Sequence, residues 1–153
     1  MTRGVLAEEL IALACRRLEQ QGRAFIRQTH PATGQDVQGR RYFRHAGACD
    51  FFGFLPGGRG IMFDLKSTRM GRFSWPDRSH SYRTKARQVE DLVTAGRDFG
   101  VLSGLVVLFW GSPRLTDRWD RLFWVPWQYA PQVSDGQSSW KPERLLVFGF
   151  CWD

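Results

Sequence analysis

The chain has 153 residues, 42% of them hydrophobic, enough for one domain with a sizeable core and too apolar for a disordered polymer. Lysine and arginine outnumber aspartate and glutamate by 22 to 15, giving a net charge of +7, which favours phosphate polyanions as partners but also suits an ordinary basic protein. Cys15, Cys49 and Cys151 lie far apart with no C-x-x-C pair, and His30, His45 and His80 are equally scattered, which argues against a disulfide framework or a zinc ribbon.

No run approaches the roughly 18–20 apolar residues of a membrane span. The start, Met1-Thr2-Arg3-Gly4, leads into an amphipathic segment with Glu8 and Glu9 rather than an apolar signal core. A cytoplasmic protein without membrane contact is expected.

Residues 5–20 place Leu6, Leu10, Leu13, Ala14 and Leu18 along one side at helical spacing. Residues 24–29 alternate and read as a strand, and the polar stretch 30–39, with Pro31, Gly34 and Gly39, reads as a loop or small projection. Short β-type runs follow at 41–44 and 49–55. Pro56-Gly57-Gly58-Arg59-Gly60 predicts a tight reversal into a partner strand at 61–67. Residues 69–81 are basic and turn-rich, so an exposed loop is expected. Residues 83–95 return to helical spacing through Ala86, Val89, Leu92 and Val93. The continuous apolar run 104–110 fits a central strand covered on both faces, and 121–125 and 145–150 are later strand candidates. The order predicts a single α/β domain over 1–153, with a mixed β-sheet flanked by helices and a short projecting loop near 30–47.

Asp64-Leu65-Lys66 sits within the predicted strand 61–67. Side chains alternate along a strand, so Ile61, Phe63 and Leu65 share one face while Asp64 and Lys66 share the other. Asp50 lies in the preceding strand, and a hairpin of matching register sets it beside Asp64. Two carboxylates about 4 Å apart repel by about 4 kcal/mol at an effective dielectric near 20, so the pair needs a proton or a cation. A hard ion such as Mg²⁺, or Mn²⁺ in its place, prefers oxygen ligands and polarises a phosphoryl oxygen. Lys66, on the same face, is placed to orient water or to stabilise charge developing on phosphorus. An acid-x-Lys triplet by itself is commonly an exposed ion pair; the paired Asp, the Gly-rich turn and the arginine-rich sequel give it weight.

The stretches Gly47-Ala48-Cys49-Asp50-Phe51-Phe52-Gly53 and Gly60-Ile61-Met62-Phe63-Asp64-Leu65-Lys66-Ser67 resemble the core motif of the RecU-type Holliday-junction resolvases, within the PD-(D/E)XK nuclease superfamily. The resemblance extends to Arg3-Gly4 with an acid a few residues later, to the helix carrying Gln88, and to the run 104–110. It covers about residues 3–130 and is weaker outside the central motif. It implies a restriction-endonuclease-like core, Mg²⁺ dependence, a homodimer and paired incisions in four-way DNA junctions. It assigns Asp50 and Asp64 as metal ligands and Lys66 as the catalytic base or electrostatic stabiliser. Glu8, or its neighbour Glu9, matches an acid of the first helix that ligates metal directly or through water, although a helix N-terminal charge complementing the dipole explains either residue equally well. Gln88 matches a glutamine that contacts the site, against an ordinary polar residue at a helix boundary. Cys49 stands where many members carry Pro, Asp64 replaces the more usual Glu, and the segment 31–47 is shorter than the family's junction-gripping stalk.

Arg69, Arg72, Arg78, Arg83, Lys85 and Arg87 follow Lys66 with Asp77 as the only acid, and Arg40, Arg41 and Arg44 precede Asp50. These two basic clusters are the expected contacts for branched or duplex DNA, with Phe73, Trp75 and Tyr82 interleaved as stacking groups or as core. The leading expectation is a metal-dependent, structure-selective endodeoxyribonuclease acting in DNA recombination and repair. Its rivals are a restriction- or repair-type endonuclease of the same fold and a non-catalytic basic DNA-binding domain.

Overall fold

In the computed structural model, the described residues are 3–29, 33–35, 38, 41–43, 49–68, 72–74, 80–109, 121–134, 139–145 and 150–152. Helix α1 (Arg3–Gln20) buries Ala7, Ile11 and Cys15, spaced four apart so that they share one stripe. It stops at Gly22, whose φ of +67° suits a left-handed cap; Gly22 N donates to Glu19 O at 2.9 Å and Arg23 N to Leu18 O at 2.8 Å, satisfying carbonyls the last turn leaves open.

Strand β1 (Phe25–Gln28) follows, then β2 (Thr33–Gln35) and β3 (Arg41–Phe43), which pair with each other as a small antiparallel ribbon. Next come β4 (Phe51–Phe54), β5 (Gly60–Thr68), β6 (Phe73–Ser74), helix α2 (His80–Phe99), β7 (Leu102–Phe109), β8 (Arg121–Pro126), the short helix α3 (Ala130–Val133), β9 (Ser139–Trp140), the short helix α4 (Pro142–Leu145) and β10 (Phe150–Trp152). The principal sheet has the order β1-β4-β5-β7-β8-β10. Among the described residues β5 and β7 pair in parallel within it, joined by the α2 crossover, and the other neighbours are antiparallel. The expected mixed sheet flanked by helices is therefore present.

Two cores lie on opposite faces of this sheet. On one, Ile26, Phe51, Phe63, Leu65, Val106 and Trp124 pack against the buried stripe of α1. On the other, Met62, Leu105, Val107, Phe123 and Val125 pack against Val89 and Leu92 of α2 and against Ala130, Val133 and Leu145. Strand β7 is buried along 103–109 because it is covered on both sides, which accounts for its unbroken apolar run.

Three sequence expectations need correction. The stripe of the first helix that is buried is Ala7-Ile11-Cys15, while Leu10, Leu13 and Ala14, from the side read at helical spacing, are exposed. The segment 69–81 is not wholly an exposed loop: Phe73 is buried, because β6 pairs with β9 and sets Phe73 opposite Trp140. Of the strand candidate 145–150, residues 146–149 lie outside the described residues. Pro142 lacks an N–H that a helix start would leave unpaired anyway, so Pro142–Leu145 form a helical turn that takes in the fully buried Leu145, while Phe150 pairs with β8 as part of β10.

Candidate active site

The β4–β5 hairpin builds the site. Gly57 and Gly58, at φ of +88° and +85°, reverse the chain, and Leu55 N closes the turn by donating to Arg59 O at 2.8 Å. The resulting register pairs Phe51 with Phe63 and Phe52 with Met62. One step beyond the paired residues, Asp50 stands opposite Asp64. Its N–H donates to Phe63 O at 3.2 Å, and its carbonyl accepts Thr29 N at 2.8 Å, which ties it to the end of β1. Thr29 Oγ1 donates to the neighbouring Cys49 O. The Asp50 carboxylate is itself held, because Oδ2 accepts the main-chain N–H of Leu65 at 2.7 Å.

Within β5, Phe63 and Leu65 face the α1 side, so Asp64 and Lys66 face the α2 side with Met62. Asp64 is fully buried, and neither of its oxygens accepts a hydrogen bond from a backbone or neutral side-chain donor. Lys66 Nζ lies against Asp64 Oδ2 as an ion pair, with the lysine side chain 15% exposed. Burial pushes the Asp64 carboxyl up to about 7; Lys66 pulls it back down, and the neighbouring Asp50 raises it further. Burial, with the charges of Asp50 and Asp64, also raises the Cys49 thiol to about 11, so this sulfur stays protonated and is no nucleophile at neutral pH.

The geometry suits a divalent cation. Two adjacent carboxylates, one of them without neutral donors, form a hard oxygen pair whose repulsion a cation relieves. Among the described residues no cluster of three or more His, Cys, Asp or Glu side chains is gathered, so Asp50 and Asp64 are the pair available to a cation there. Mg²⁺ tolerates such a set because it retains several waters and takes substrate phosphate oxygens as further ligands.

Glu8 is half-buried on α1, where its Oε2 accepts Gln28 Nε2 at 2.7 Å. Gln28 pairs in register with Phe51, one residue from Asp50, so Glu8 lies toward the same end of the sheet but is not gathered into the aspartate pair. Glu9 is exposed. Gln88 is half-buried on α2, which packs over β7 and β5, and among the described residues no hydrogen bond joins it to Asp50, Asp64 or Lys66. Of the basic residues, Arg72 and Arg87 are exposed. Arg41 lies in β3, and Arg83 and Lys85 lie in α2, with side chains outside the described residues; Arg40, Arg44, Arg69 and Arg78 fall outside them altogether.

Of the aromatic residues interleaved with the basic loop, the core alternative holds for the one whose side chain is described. Phe73 is core, Trp75 is outside the described residues, and so is the Tyr82 side chain. Among the described residues the exposed rings on the β1–β4 ladder are Phe25, Phe52 and Phe54; Phe99 and Tyr129 are exposed as well. The signal for the β4 pair was the alternation itself, since Phe52 and Phe54 stand opposite in phase to Phe51.

No protein-family model matches the chain, and no curated protein matches it. Among solved structures it is similar to that of Hjc, a Holliday junction resolvase from the archaeal hyperthermophile Archaeoglobus fulgidus. The TM-score is 0.49, with 90% of this chain and 93% of that chain covered at 15% sequence identity. Residue roles therefore rest on this chain's own geometry.

Proposed function

We propose that the chain is a divalent-metal-dependent, structure-selective DNA endonuclease of the restriction-endonuclease-like class, resolving four-way junctions as a homodimer. The observation that carries this reading is the fully buried Asp64 carboxylate set beside Asp50 and against Lys66. Burying such a pair costs stability, and a purely structural role offers no compensation for it.

Asp50 and Asp64 would hold Mg²⁺ or Mn²⁺, which when bound polarises a phosphoryl oxygen and lowers the pKa of coordinated water. The Leu65 N–H holds Asp50 Oδ2, which keeps the carboxylate in place beside Asp64 without reorganisation. Lys66 sits where it can orient the attacking water and balance negative charge growing on the phosphate. The net charge of +7 and exposed Arg72 and Arg87 favour approach of the DNA backbone. Among the described residues no helix is long and apolar enough to cross a membrane.

The dimer has a candidate face. An apolar groove of about 770 Å³ lies between α1 and the sheet, lined by Leu13, Leu18, Leu55, Leu102, Leu122 and Trp124. Leu10 also lines it, and both Leu10 and Leu13 are exposed. Glu9 and Arg17 flank Leu13 on the exposed side of α1, each four residues away. Two α1 helices packed antiparallel about Leu13 would set each Glu9 against the partner's Arg17 while exchanging leucines, the self-complementarity a two-fold interface requires.

The test is incubation of the purified chain with Mg²⁺ or Mn²⁺ and a four-way junction, a nicked duplex or a linear duplex. Paired symmetric cuts in the junction, absent in Asp64→Asn, are expected. Equal cutting of all three substrates would assign a restriction- or repair-type nuclease instead. Binding without cutting would leave a non-catalytic DNA-binding domain.

A further inference from the structure

Phe25, Phe52 and Phe54 are 48%, 40% and 47% exposed, and they form a continuous patch. Phe25 pairs with Phe54 across the β1–β4 ladder, and the Phe52 and Phe54 rings meet edge to face with centroids 5.4 Å apart. The Arg27 guanidinium lies over the Phe25 ring at 4.1 Å, while Glu19 holds it by two hydrogen bonds of 2.7 and 2.9 Å. Helix α2 covers the same sheet face over β5 and β7, where Met62 is buried, whereas Phe52, the cross-strand partner of Met62, remains open.

A contiguous apolar patch held in water marks a binding surface. Among the described residues this one consists of phenyl rings with a stacked guanidinium at its edge. Flat π systems are its natural complement, and the chain's +7 charge favours a polyanionic carrier for them. Its position adds the decisive constraint. Phe52 is the cross-strand partner of Met62, and Met62 and Asp64 share a face of β5, so the ring points to the sheet face that carries Asp64, roughly 7 Å along the strand. Phe54 continues the line by the same step.

We propose that Phe52, Phe54 and Phe25 form a stacking platform for unpaired nucleobases adjoining the Asp50–Asp64–Lys66 centre. Bases inside an intact duplex cannot lie on it, because their faces are already stacked on one another. A strand entering the centre with neighbouring bases unpaired, as at a branch point or in a single strand, gains this contact. The platform would thereby supply structure selectivity. This deepens the proposed nuclease reading through its DNA partner, yet it does not depend on cleavage.

The experiment measures binding of a single-stranded oligonucleotide carrying 2-aminopurine, and separately of a blunt duplex, in metal-free buffer. Wild type is expected to quench the 2-aminopurine. Phe52→Leu/Phe54→Leu, which keeps apolar bulk but removes the π faces, should weaken single-strand binding roughly fivefold to a hundredfold per stacked base. Duplex affinity should stay within about twofold, and Phe52→Trp should retain single-strand binding. Unchanged single-strand affinity in the leucine variant, or an equal loss for duplex, overturns the proposal. So does a loss that tracks dissociation of dimers in sedimentation, which would make the patch a protein interface. Cleavage scored separately with Mg²⁺ keeps the two readings apart: base stacking without cutting sinks the nuclease and leaves the platform, whereas cutting with an indifferent leucine variant does the reverse.

Discussion

The Asp50 carboxylate accepts the main-chain N–H of Leu65 at 2.7 Å, so the acid of one strand is fastened to the strand that carries Asp64 and Lys66. This bond separates two roles of Asp50. An amide can still accept the Leu65 N–H, but it cannot supply negative charge. At pH 5, where Asp64 holds its proton, Asp50→Asn should therefore leave the melting temperature nearly unchanged, and with metal at neutral pH it should lower single-turnover cleavage on the order of a hundredfold or more. Asp50→Ala should lose cleavage and, in addition, about 1–3 kcal/mol of stability from the orphaned N–H. Equal thermal stability of the two variants would show that the bond contributes nothing to the fold.

The buried Asp64 carboxyl predicts an unusual pH dependence of stability. Its folded-state pKa of about 7 lies above the ordinary 3.8, so between these values the folded chain retains a proton that the unfolded chain has released. The stability this group contributes is complete below pH 3.8 and is lost as pH rises through about 7. Metal-free protein should melt lower at pH 8 than at pH 5, by roughly 1–3 kcal/mol or about 3–10 °C from this group. Asp64→Asn should flatten that trend. A wild-type melting temperature that rises steadily from pH 5 to 8 would contradict the assignment.

Divalent metal should reverse this penalty. At a Mn²⁺ or Mg²⁺ concentration about a hundred times its dissociation constant, binding to the folded state adds about 2.7 kcal/mol. The melting temperature at pH 8 should rise accordingly in wild type and stay flat in Asp64→Asn. A similar rise in the variant would place the metal elsewhere.

The α1 face offers a charge-reversal test of dimerisation. Leu13 is exposed in the protomer, so Leu13→Glu should change protomer stability by no more than about 0.5 kcal/mol. It should nevertheless dissociate dimers in sedimentation by placing a charge at the interface centre. Glu9→Arg alone should weaken association, and Glu9→Arg with Arg17→Glu should restore it. Dimers indifferent to all of these would use another surface.

Much of the fold was legible because its signals are local. The parallel partner of β5 announced itself as the apolar run 104–110, since a strand covered on both faces has no reason to alternate. The Pro56-Gly57-Gly58 turn sets a register that brings Asp50 opposite Asp64. Other features were not legible. Leu10 and Leu13 fit a helical stripe as well as Ala7 and Ile11 do, and spacing alone does not say which stripe meets the sheet. The basic residues near the site were easy to count, but counting gives no direction to a side chain.

By itself the sequence determined that Asp64 and Lys66 share a face and that Phe52 and Phe54 share the face opposite Phe51, because a strand's period of two leaves no alternative. Tertiary structure alone decided the depth of each residue. Helix α2 covers β5 and β7, sealing Asp64 from water and raising its pKa, while the Phe52 and Phe54 rings of β4 remain in solvent. Burial depends on which elements pack over a face, and that follows from long-range contacts that no local pattern encodes.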